Sequence, residues 1–179
     1  MKNKSPLLGL IVLILTIMTT ACTPPQRQVQ RLPPYPSQQS SQPPLYHQNH
    51  SSIIKARQGI VRQAYKALGT PYKYGGSTPK EGFDCSGLMT YIHKKGAGIN
   101  LPRTATQQKN SSRTVGYSNL QPGDMLFFKT GAKTNHVGLY IGKRQFIHAP
   151  NRRSKVKITT MDNRYWHSKF VKFGTFLGH

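Results

Sequence analysis

Residues 84–96, Asp84-Cys85-Ser86-Gly87-Leu88-Met89-Thr90-Tyr91-Ile92-His93-Lys94-Lys95-Gly96, decide how this chain is read. Leu88, Met89 and Ile92 recur on one helical face, Asp84 suits an N-cap, and Lys94, Lys95 and Gly96 are stop signals. A helix beginning at Cys85 is expected, with a thiol in its first turn.

Upstream, Ile53, Ile54, Ile60, Val61, Ala64, Tyr65 and Leu68 repeat at three- and four-residue spacing before Gly69 and Pro71, which marks an amphipathic helix. Downstream, Thr104 and Gln107 form a capping box for a short helix over Ala105 to Lys109. After the turn Pro122-Gly123-Asp124, five segments read as strands: Met125 to Phe128, His136 to Ile141, Gln145 to His148, Val156 to Thr159 and Phe170 to Phe176. Gly142-Lys143-Arg144 suits a hairpin loop. Helices first and strands afterwards indicate an α+β domain, with N-terminal helices packed on an antiparallel sheet of about five strands.

The N-terminal third has a different character. Lys2 and Lys4, the apolar run Leu7 to Met18 and the small residues before Cys22 read as a secretory signal over residues 1–21. The run is about twelve residues, too short for the ~20 that a spanning helix needs. Thr19-Thr20-Ala21-Cys22 resembles a lipobox, although it opens on Thr19 where an aliphatic residue is usual. Residues 22–52, rich in Pro, Gln and Ser, read as a disordered linker, and residues 53–179 as one folded domain.

Lys and Arg number 26 against four acids, Glu81, Asp84, Asp124 and Asp162, for a formal charge of +22. Such a field draws polyanions. Nucleic acid would be the default partner inside a cell, but the export signal argues against it. Nothing shows paired-cysteine or His-x-x-x-His spacing or a phosphate loop, so neither metal nor cofactor is expected.

Cys22 and Cys85 are the chain's two cysteines, and if Cys22 takes a lipid, Cys85 has no partner. An unpaired thiol in an exported chain points to reactivity. A free cysteine titrates near 8.5, and a helix dipole contributing about 0.3–1 kcal/mol lowers that by less than one unit, so a histidine is needed as well. His47 and His50 fall in the linker and His179 at the terminus. His93 reads as a helix-end cation and His167 as a surface residue. His136, opening one strand, and His148, closing its hairpin partner, remain. With Val137, Leu139 and Ile141 on one face, His136 lies on the other with Gly138 and Tyr140.

Pro71-Tyr72-Lys73-Tyr74-Gly75-Gly76, Phe83-Asp84-Cys85-Ser86-Gly87-Leu88, Leu101-Pro102-Arg103, Gln107, Leu120-Gln121-Pro122-Gly123-Asp124, His136-Val137-Gly138-Leu139-Tyr140-Ile141-Gly142 and Phe146-Ile147-His148-Ala149 follow one another in a single domain. In this order they resemble the NlpC/P60 peptidases, and among them the lipoprotein endopeptidases of the NlpC and Spr type. The resemblance implies a papain-like fold in which Cys85 is the nucleophile, His136 the general base and then acid, and His148 the residue that orients His136. It also implies Tyr72 as a second oxyanion donor beside the Cys85 N–H; the alternative for Tyr72 is a ring that caps the core. The chemistry is consistent: His136 would take the thiol proton to give a thiolate–imidazolium pair, and a neutral His148 would fix its tautomer.

Gly75 and Gly76 are expected to allow close approach of substrate, and Arg103 to act structurally or on a carboxylate. Asp84 is explained by helix capping and Asp124 by its turn. The expected substrate is the peptide part of peptidoglycan, cut at a D-alanyl–diaminopimelate cross-link or, in other members of that family, at γ-D-glutamyl–diaminopimelate. Acylated Cys22 would tether the enzyme to a bacterial membrane, at the periplasmic face of the outer membrane. A non-catalytic wall-binding lipoprotein and a papain-like thiol acyltransferase are the competing readings.

Overall fold

The computed structural model describes residues 44–132 and 135–178. The expected signal segment 1–21, the lipidation site Cys22, residues 23–43 of the expected linker and His179 lie outside the described residues.

Helix α1 runs over Pro44–Lys66. Residues 44–52, read from sequence as linker, are therefore helical. Pro44 sits at the first position, where its missing N–H costs nothing, and extending a helix already formed over 53–66 adds one hydrogen bond per residue. A two-stranded hairpin follows, β1 (Ser77–Thr78) with β2 (Gly82–Phe83). Helix α2 (Cys85–Ala97) starts at the expected residue but stops later than expected, on the left-handed Gly98 (φ 71°) rather than at Gly96. Gly96 instead lies against α1: a Cβ there would come within 2.6 Å of Ile60 Cα, so the two helices cross at backbone contact. Helix α3 (Ala105–Ser111) carries the complete Thr104–Gln107 capping box.

The strands are β3 (Arg113–Val115), β4 (Met125–Phe128), β5 (His136–Gly142), β6 (Gln145–His148), β7 (Lys157–Thr160) and β8 (Phe170–Thr175). They form one antiparallel sheet in the order β3-β8-β4-β5-β6-β7. The sheet has six strands where five were expected. The extra one, β3, is a polar three-residue segment held at the edge by pairing with β8, a long-range partnership with no local signal. Between β7 and β8 lies a six-residue helix, α4 (Arg164–Lys169), started by Asn163, whose side chain accepts from the N–H groups of Tyr165 (3.1 Å) and Trp166 (3.3 Å). The β5–β6 turn places Lys143 and Arg144 at φ 49° and 56°, the left-handed pair that a two-residue hairpin requires.

The two faces of the sheet carry different cores. Met125, Phe127, Val137, Leu139 and Ile147 pack with Ile60, Ala64, Leu88, Met89 and Ile92 of α1 and α2, all but fully buried. At about 1.5–3 kcal/mol for each fully buried large side chain, this layer holds α2 on the sheet. The opposite face carries Leu126, Phe128, Phe146 and Phe173, with Tyr140, Met161 and Trp166 against them. Cys85 therefore comes from the helical side, and the alternation of β5 sends His136 to the other.

Candidate active site

Cys85 occupies the first turn of α2, directly after its cap. The Asp84 carboxylate accepts from Gly87 N–H at 2.6 Å, Gly75 N–H at 3.0 Å and Ser86 Oγ at 3.2 Å. Arg103 grips it with both forks, Nη1 to Oδ1 at 3.1 Å and Nη2 to Oδ2 at 2.8 Å. Burial works against this charge, but Arg103 and the two N–H donors outweigh it and hold the carboxyl below its ordinary range. Asp84 is thus more than a cap: it ties the Gly75 loop, α2 and Arg103 into one unit. Arg103, expected to act structurally or on a carboxylate, here holds a carboxylate of the protein itself.

The thiol donates to the carbonyl of Asn135 at 3.6 Å, the residue before His136. Burial, with Asp84 beside it, pushes the thiol up to about 11, while the N–H groups of Val137, Ser86 and Cys85 pull the other way. Sγ therefore meets β5 at the backbone on both sides of His136.

The imidazole of His136 lies on the outer face of the sheet. Its Nε2 is 2.9 Å from His148 Nδ1, and His148 Nε2 is 2.9 Å from Thr159 Oγ1. The indole of Trp166 stacks on His136, centroids 4.5 Å apart and planes at 29°, and stands edge-on to His148 at 4.8 Å. This enclosure pushes His136 down to about 3 and His148 down to about 2, burial being the larger cause in both and the neighbouring His136 adding to it for His148. Burial thus favours the neutral thiol and the neutral imidazole, whereas the sequence suggested an ion pair. The physical reason is that burial penalises each charge and Asp84 adds a negative neighbour to the thiol.

A groove of about 480 Å³ opens over Cys85, lined among others by Tyr72, Tyr74, Gly75, Arg103 and Thr106. Tyr72 is half-buried and shares the groove with Cys85; burial raises its phenol, and Cys85 raises it further. Gly75 belongs to the groove wall. Gly76 does not: it is buried, its carbonyl accepts from Asp84 N–H at 3.1 Å, and a Cβ on it would run into the backbone of Gly82. Its close approach is to the protein itself and not to an open surface. Among the described residues no group of three or more His, Cys, Asp or Glu side chains could hold a metal.

Two residues outside the groove also differ from their sequence reading. His93 is fully buried rather than a helix-end cation; its Nδ1 donates to Met89 O at 2.9 Å, its Nε2 has no partner among the described residues, and burial lowers it to about 4. Asp124 is buried too, paired with Arg57 at 2.8 Å besides accepting from Gln121 N–H in its turn. His167 is exposed on α4, as expected.

Thr159, Trp166 and Asn135 went unread in the sequence. Asn135 and Thr159 depend on strand register, which no local pattern announces. The one signal for Trp166 is that it is the chain's single tryptophan, following Asn163, a good N-cap residue.

Residues 69–175 match the NlpC/P60 family. Over 134 residues the chain is 37% identical to the murein DD-endopeptidase MepS/murein LD-carboxypeptidase of Escherichia coli (strain K12), covering 75% of this chain and 69% of that protein. It is 45% identical over 114 residues to the gamma-DL-glutamyl hydrolase of Bacillus subtilis (strain 168), covering 63% of this chain but 27% of that protein, so it spans only about a quarter of that relative's length. A crystal structure of an NlpC/P60 family protein from Bacillus cereus ATCC 10987 superposes with a TM-score of 0.64 at 29% identity, over 68% of this chain and 40% of that one. With its helices packed on an antiparallel sheet and the family match spanning more than half its length, the chain belongs to the NlpC/P60 family.

Proposed function

We propose that this chain is a cysteine peptidase that hydrolyses the peptide part of peptidoglycan, with Cys85 as nucleophile and His136 as general base and acid. The observation that carries the reading is the hydrogen-bonded His136–His148 pair at the start of β5, whose flanking backbone atoms receive the Cys85 thiol. The name of the E. coli relative, a murein endopeptidase, supports a peptide bond of the wall as the target, and that of the B. subtilis relative supports a glutamyl bond.

In this mechanism a substrate carbonyl lies in the groove over Cys85. Sγ attacks its carbon while the thiol proton passes around the start of β5, beside the backbone of Asn135 and Val137, to His136 Nδ1, the ring nitrogen not engaged by His148. Because burial favours the neutral form of both partners, proton transfer accompanies attack rather than preceding it. The oxyanion accepts from the Cys85 N–H and from the Tyr72 phenol. Collapse expels the amine, which takes the proton from His136, and leaves a thioester; water, deprotonated by His136, then releases the acid and restores the thiol.

We read the preferred bond as the D-alanyl–diaminopimelate cross-link, supported by the greater length shared with the E. coli endopeptidase. The 45% identity to the B. subtilis hydrolase favours γ-D-glutamyl–diaminopimelate as the second reading. Gly75 lies where substrate would pass, and the excess of Lys and Arg suits stem carboxylates. The lipobox-like Thr19-Thr20-Ala21-Cys22 supports acylation at Cys22 and tethering to the periplasmic face of the outer membrane.

The test is digestion of defined muropeptides by the purified chain and by Cys85→Ala, with products identified by mass spectrometry. Cleavage of one bond, lost in Cys85→Ala, is the expected result. Binding without thiol-dependent products would establish a non-catalytic wall protein, and acyl transfer to an added amine in place of hydrolysis would establish a transferase.

A further inference from the structure

The hydrogen-bond chain at β5 has a third member. His136 Nε2 reaches His148 Nδ1 and His148 Nε2 reaches Thr159 Oγ1, both at 2.9 Å. Register puts the threonine there: β6 pairs with β7 so that His148 stands opposite Lys157 and Phe146 opposite Thr159, which makes Thr159 the diagonal neighbour of His148 on the same face.

Two neutral imidazoles and one hydroxyl in series have two self-consistent proton arrangements, since each link needs one donor and one acceptor and each neutral ring carries one N–H. In the outward arrangement, His136 Nε2–H donates to His148 Nδ1 and His148 Nε2–H donates to Thr159 Oγ1. In the inward one, the hydroxyl donates to His148 Nε2, His148 Nδ1–H donates to His136 Nε2, and the His136 proton sits on Nδ1. Only the outward arrangement leaves a lone pair on His136 Nδ1. It is also the one an imidazolium demands, because a ring protonated at both nitrogens must donate from Nε2.

We propose that Thr159 is a positioning residue that lets this chain run outward. The hydroxyl can take either role, and as the acceptor of His148 Nε2–H it allows both rings the Nε2–H tautomer and keeps His136 Nδ1 available as a base. His148 is fully buried, so without an acceptor at Thr159 an Nε2–H would be an unsatisfied donor. The proton would then move to Nδ1, where His136 Nε2 accepts it, and the chain would turn inward. The inference rests on the reading of His136 as the base.

The test is ¹⁵N NMR of the imidazole nitrogens in histidine-labelled chain, together with kcat and KM on a muropeptide, for the wild type, Thr159→Val and Thr159→Ser. The wild type and Thr159→Ser show the proton on Nε2 of both rings. Thr159→Val moves it to Nδ1 and lowers kcat at least tenfold with KM within twofold, and Thr159→Ser restores turnover. A proton on Nδ1 of His136 in the wild type overturns the proposal without recourse to any variant, and so do unmoved shifts in Thr159→Val. A moved proton with unchanged turnover upholds the control by Thr159 and overturns instead the assignment of His136 as base.

Discussion

The indole of Trp166 lies on the imidazole of His136, 4.5 Å between centroids and 29° from parallel, and closes the outer side of the ring. As the chain's single tryptophan, it reports on that ring and on His148, which it meets edge-on at 4.8 Å. Because burial keeps His136 neutral down to about 3, emission should show no titration step near 6.5 between pH 8 and pH 5; a step there would mean a solvated imidazole. Trp166→Ala should lower kcat about tenfold or more with little change in KM, since a misplaced ring costs rate and not binding. Trp166→Phe should recover most of the loss.

Asp84 couples the nucleophile's helix to Arg103 and the Gly75 loop. Asp84→Ala removes the cap, worth about 1 kcal/mol, and strands part of the Arg103 charge, for a total loss of roughly 2–3 kcal/mol in urea unfolding. Asp84→Asn keeps an N-cap and should lose about half of that. A loss under 0.5 kcal/mol in Asp84→Ala would show the network to be dispensable.

Three buried histidines make stability depend on acid. His93, His136 and His148 are lowered to about 4, 3 and 2, so the unfolded chain binds protons that the folded one refuses. Their contribution is complete above pH 6.5 and is lost as pH falls towards those values, at up to about 1.4 kcal/mol per unit for each ring. His93→Leu, which also removes the unpartnered Nε2, should flatten the slope between pH 6.5 and 4 by one ring's share. An unchanged slope would mean that His93 is already protonated in the fold.

The thiol, raised to about 11, should alkylate slowly at neutral pH, the rate with iodoacetamide climbing about tenfold per unit from pH 7 to pH 9. A flat profile over that range would reveal a standing thiolate–imidazolium pair.

Much of this was legible where a local rule governs. Asp84 had to cap, Thr104 and Gln107 had to close their box, and the alternation in β5 had to send His136 away from Val137 and Leu139. What was not legible depends on distant parts of the chain meeting. β3 exists because β8 reaches it, and Gly96 is a crossing point because Gly59 and Ile60 arrive there. Thr159 is a partner of His148 only by register. The electrostatics failed for a related reason: the sequence names a cysteine and two histidines, but not the depth at which they are buried, and depth decides their charge.

The groove over Cys85 and the cavity that His136 lines, with Thr130, Pro150, Asn151, Lys157 and Trp166 around it, are separate openings. A peptide strand seated on the nucleophile thus enters by one door, and the wall that holds the base faces another. An occupied groove would leave that second cavity open, so that a blocking peptide would stop the attack at the thiol while the wall around Trp166 and Lys157 stayed uncovered.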